Sequence, residues 1–122
     1  MLKQKPMNIL AGGMIAGSVL AAADSTRAAD EVMDARYILE KMETKEQFAY
    51  ISGIVEGMAY ARFRKDTIVA GSKDERGSNC IYDWYYTGTG KTPGSILATF
   101  GKYPDQRPAT IIALMVKQEC GE

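Results

Sequence analysis

The stretch TKEQFAYISGIVEGMAYARFRK, residues 44–65, decides the fold class. At its head Thr44 and Gln47 form a capping box, with Thr44 as the N-cap and Gln47 reaching back. Behind it, Phe48, Ile51, Ile54, Val55, Met58 and Ala59 recur at the three- and four-residue steps that lay apolar side chains along one helical face. Arg62, Arg64 and Lys65 close the stretch, where the helix dipole favours cations. Gly53 and Gly57 interrupt the run, and each costs about 1 kcal/mol relative to alanine. Close backbone approach by a neighbouring helix is the expected compensation, so both are read as helix-packing residues.

Outward from this helix the chain keeps helical signals. Asp30 to Met42 reads as a preceding helix, with Val32, Met33, Arg36, Tyr37 and Leu39 loosely periodic and acids gathered at its start. Asp66 to Asn79 is polar and glycine-bearing and reads as a loop leading to Cys80. Ile81 to Tyr86 fits a short strand or a helical turn, and six residues leave both open. Thr92-Pro93 reads as an N-cap followed by proline at the first helical position, opening a short helix through Ile96, Leu97 and Phe100. Pro108 opens the last helix, which carries Ile111, Ile112, Leu114, Met115 and Val116 to Cys120. The expectation is all-α: one small bundle of about four helices over residues 30–122.

The first 23 residues differ from the rest. Lys3 and Lys5 precede a run of apolar or small residues from Ile9 to Ala23, interrupted only by Ser18. That run falls short of the ~20 residues of a membrane span. It matches a signal-peptide core, with Ala21-Ala22-Ala23 as the cleavage site and Ala28 as a later alternative. Cleavage leaves no membrane anchor and implies a periplasmic or secreted domain. Cys80 and Cys120, the only cysteines among 122 residues, then read as a disulfide. Closing a loop of about 41 residues stabilises by roughly 4 kcal/mol on the chain-entropy estimate.

Composition narrows the chemistry. The whole chain has 15 basic and 15 acidic side chains; without the two signal lysines, 13 face 15, a net charge of −2. No excess positive charge favours nucleic acid. The chain has no histidine, the commonest general base, and no close pair of metal-ligating cysteines. No enzyme activity, metal or cofactor is expected. Thr87-Gly88-Thr89-Gly90-Lys91-Thr92 ends like a phosphate-binding loop, but Tyr85 stands where that pattern needs its first glycine. Among carboxylates, Glu46, Glu56 and Asp83 lie nearest apolar sequence and are the only specific route to a paired-acid mechanism. Tyr82, Trp84, Tyr85 and Tyr86 are the candidate partner-binding residues, because tyrosine and tryptophan dominate interface hot spots. If the segment were a strand, alternation would turn Tyr82, Trp84 and Tyr86 inward and leave Tyr85 exposed.

The order of these features carries a resemblance. Tyr50-Ile51-Ser52-Gly53-Ile54-Val55-Glu56-Gly57 on a helix, then Cys80, a short helix ending at Tyr103-Pro104, and a last helix closing at Cys120 together resemble the Tai-type immunity family. Its members are small periplasmic helical proteins that neutralise peptidoglycan amidases delivered by type VI secretion. The match spans roughly Phe48 to Cys120, with Ile81 after the first cysteine where the family tends to continue with proline. The scaffold is also similar to the HdeA-like periplasmic acid-stress chaperones, which loosen at low pH and hold unfolding clients. The resemblance therefore implies a protein partner, either an amidase effector or unfolded clients. Oligomeric state stays open.

Overall fold

The computed structural model describes residues 32–122. The expected signal segment at 1–23, with its cleavage after Ala23 or Ala28, lies outside them. Five α-helices occur among the described residues: α1 (Ala35–Lys41), α2 (Thr44–Ala70), α3 (Arg76–Tyr82), α4 (Thr92–Lys102) and α5 (Pro108–Cys120). A π-helical turn, Asp83–Thr87, continues α3 without a break. The all-α reading holds. The extra helix is α3, which occupies the end of the expected loop.

Asp34 caps α1, its carboxylate accepting from the Tyr37 amide at 2.8 Å. The next orphan donors of this short helix are met from far along the chain. The Ala35 and Arg36 amides donate to the Gln106 and Pro104 carbonyls at 2.9 Å, and Arg36 pairs with Asp105 beside them. Such bonds hold the first helix to the turn between α4 and α5.

The capping box of α2 sits one residue earlier than expected. Glu43 is the N-cap and Glu46 its partner, with the Glu43 amide donating to Glu46 Oε2 at 2.8 Å. This frees Gln47, whose side-chain amide donates instead to the Ile38 and Met42 carbonyls at the end of α1. The same region thus satisfies two helix ends. At its far end α2 runs past Lys65 to Ala70 and stops at Gly71, which takes the left-handed conformation (φ 71°) open to glycine and returns its amide to the Ile68 carbonyl. The Arg62–Asp66 pair at 2.8 Å supports the added turn. Only Ser72 to Glu75 remains of the predicted loop before α3.

The core joins every helix: Ala35 and Ile38 of α1, Ile51, Val55 and Ala59 of α2, Ile81 of α3, Ile96 and Phe100 of α4, and Ile111, Ile112 and Val116 of α5, with Tyr85 of the π turn. Fully burying side chains of the isoleucine or phenylalanine kind stabilises by about 1.5–3 kcal/mol each. Phe48 and Leu114, expected on apolar faces, are exposed. Cys80 and Cys120 are bridged, with Cα atoms 5.8 Å apart, so the end of α5 is tied covalently to α3.

Gly53 and Gly57 do not mark a helix contact. Both are exposed, and beyond its chain neighbours and its own helix backbone a Cβ placed on either would meet no heavy atom within 4 Å. Gly77 carries the close approach instead. It is buried, and a Cβ there would lie 2.5 Å from Arg62 Nε and 2.8 Å from Arg62 Cγ. Here α3 rests on α2 and its Arg62–Asp66 pair. The sequence reading placed the requirement for a small residue on the wrong helix.

Candidate functional site

The aromatic segment is helical throughout, and this reverses the expected exposures. Residues four apart share a face of a helix, so Ile81 and Tyr85 both point into the core, and Tyr85 is 5 % exposed. Tyr82 and Tyr86 share the adjacent face; Tyr86 is 51 % exposed and Tyr82 half-buried. Trp84 is half-buried rather than central to the core, and its carbonyl accepts from the Thr92 hydroxyl at 2.7 Å. Strand alternation fails because the backbone keeps helical bonds, ending with the Gly88 amide on the Asp83 carbonyl, the five-residue step of a π turn.

Three tyrosine hydroxyls bind this segment to two side chains in the middle of α2. Tyr85 and Ser52 share a hydrogen bond of 2.8 Å between their hydroxyls. Glu56 takes the other two rings: Tyr86 donates to Oε1 at 2.8 Å and Tyr82 to Oε2 at 3.1 Å. The Tyr82 and Tyr86 rings stack, 6.2 Å between centroids and 25° between planes, and Tyr86 meets Tyr85 edge-on at 4.7 Å. The hydrogen bond to Glu56, reinforced by burial and by its negative charge, pushes the Tyr86 phenol up to about 12 and raises that of Tyr82.

On α2, Glu56 lies between Gly53 and Gly57 and one turn before Tyr60, which is 60 % exposed. The glycines leave the helix backbone bare on either side of the carboxylate. The result is a surface on which two tyrosine rings meet one anchored acid, with Tyr60 a turn further along α2, on a frame crosslinked nearby at Cys80. Glu56 was legible in the sequence only as a possible catalytic acid. Ten residues along the same helix from Glu46, it stands about 15 Å from it on the axis, beyond the ~5–9.5 Å of glycosidase carboxylate pairs. Glu46 is itself committed to the cap.

Other features resolve differently. Gly88 to Lys91 joins a π turn to α4, so helix, not the strand of a phosphate-binding loop, precedes the glycines. A cleft of about 560 Å³ between α2 and α3 is lined by Arg62, Lys65, Asp66, Asp74 and Arg76. Four of its charges are paired with one another: Arg62 with Asp66, and Arg76 with Asp74 through both side chain and amide. The bonds from Arg76 hold the Asp74 carboxyl down at about 2. Among the described residues, no cluster of histidine, cysteine or carboxylate side chains is placed to hold a metal, and no helix is long and apolar enough to cross a membrane. Compared with known proteins, the chain matches no family model, no curated protein and no solved structure.

Proposed function

We propose that the chain is an exported, non-enzymatic binding protein that acts by docking a protein partner on the Tyr60–Tyr82–Tyr86 surface, with a peptidoglycan amidase effector as that partner. The observation carrying this reading is the double hydrogen bond of Glu56 to Tyr82 and Tyr86. It holds two accessible rings in fixed positions before any partner arrives. Tyrosine buries large area with few rotamers, and rings already ordered lose less entropy on binding. The disulfide from α3 to α5 supports the same segment and fits an oxidising compartment. The amidase comes from the Tai-type resemblance of the α2 motif and the spacing of Cys80 and Cys120.

The test mixes protein purified from the periplasm with a type VI amidase effector from the same cells and follows muropeptide release at neutral pH. The expected result is loss of hydrolysis at stoichiometric ratio, with at least tenfold weaker binding for the Tyr60→Ala/Tyr86→Ala double variant while its helical circular dichroism spectrum is retained. No complex and no inhibition would overturn the reading. Protection of acid-unfolded clients without any neutral-pH complex would replace it with the holdase role.

A further inference from the structure

The geometry points to a seat for a single arginine side chain of the partner, formed by the Glu56 carboxylate and the Tyr82 and Tyr86 rings. This deepens, and rests on, the protein-binding reading above. A carboxylate has about four acceptor positions, two on each oxygen. The two tyrosine hydroxyls take one on each: Tyr86 on Oε1, Tyr82 on Oε2. One acceptor position remains on each oxygen, enough for two N–H donors of a single guanidinium.

Charge supports the same occupant. Arg36, Arg62, Lys73, Arg76 and Lys117 are each paired with an acid, whereas no cation among the described residues pairs with Glu56. An anchored acid left with only phenols for company is complementary to an incoming positive group. The stacked rings beside it attract a cation electrostatically, and a planar guanidinium stacks on tyrosine as well. Arginine therefore fits better than lysine, whose ammonium is a point charge without the fork.

The bare ground around the acid allows approach. With no side chain at Gly53 or Gly57, and nothing beyond their chain neighbours and their own helix backbone within 4 Å of where one would begin, a partner's side chain reaches Glu56 along the helix backbone. This gives the two glycines, costly in mid-helix, a use that internal packing does not.

The probe is N-acetyl-L-arginine amide, titrated up to ~100 mM, the range of single-group affinities, into isotope-labelled protein purified from the periplasm. Ring and amide resonances report, and the neutral isostere N-acetyl-L-citrulline amide is the control. The expected result is saturable shifts at Glu56, Tyr82 and Tyr86, at least tenfold weaker for citrulline and abolished in Glu56→Gln. Equal responses to both compounds, or none to arginine, overturn the seat. A second readout separates this inference from the one beneath it. An amidase complex whose affinity Glu56→Gln leaves within twofold overturns the arginine seat while protein binding stands. A normal arginine response without any amidase complex overturns the choice of partner and leaves the seat in place.

Discussion

The Tyr86 hydroxyl donates to Glu56 Oε1 at 2.8 Å across thirty residues of sequence, joining the π turn to the middle of α2. This bond ties an exposed ring to a helix, and its energetic signature lies in the phenol. Glu56 holds the Tyr86 pKa at about 12, above the ordinary tyrosine value of about 10. A folded pKa raised above the unfolded one contributes stability that is fully present below about pH 10 and is lost as pH rises toward 12. Following the tyrosine ring carbons by NMR should place the Tyr86 midpoint near 12, and Glu56→Gln should bring it back toward 10. A midpoint near 10 in the unaltered protein would contradict the bond.

Glycine substitutions should divide by helix. Gly53→Ala and Gly57→Ala meet open space on exposed α2 and should each stabilise by up to about 1 kcal/mol, through helix propensity and a less flexible unfolded chain. Gly77→Ala should do the reverse, by about 1–3 kcal/mol, because its methyl drives into Arg62 and displaces the Arg62–Asp66 pair. Thermal and urea unfolding of the three variants decides the matter. Equal stabilisation of all three would refute the assignment of the close contact to Gly77.

Tyr85 should behave as core. Tyr85→Ala should cost about 3–5 kcal/mol, as expected for a large aromatic truncated in a packed interior. Tyr85→Phe keeps the ring and removes only the bond to Ser52, so a cost of about 1 kcal/mol is expected. Denaturant midpoints of both variants provide the comparison.

Reduction should be costly in the same currency. The Cys80→Ser/Cys120→Ser double variant should lose about 2–5 kcal/mol, with the end of α5 released from α3. Alkylation of the denatured, unreduced protein should label neither cysteine, and full labelling without reductant would show that no bridge exists.

Several features were legible because they depend on neighbours in sequence. The apolar steps from Ile51 to Ala59 are a local period, so the α2 helix and its buried Ile51, Val55 and Ala59 could be read directly. Pro108 at the head of α5 and the pairing of Cys80 with Cys120 were likewise legible, from proline's missing donor and from having only two cysteines to join. Capping was legible to within one residue: several polar side chains stood near the start of α2, and only the position of α1 turned Gln47 toward the Ile38 carbonyl.

The site itself was a tertiary decision. Six aromatic-rich residues from Ile81 fit either period, and which one holds depends on α3 packing against α2, which needs Gly77 to be small. Once that segment is helical, Tyr85 turns inward to Ser52 and Tyr86 outward to Glu56, the opposite of strand alternation. Gly53 and Gly57 show the same limit. Sequence determined that two glycines weaken a helix at these positions, because propensity belongs to the residue. Whether a neighbouring backbone or open space lies above them depends on where the other helices stop, and the fold leaves them bare beside Glu56.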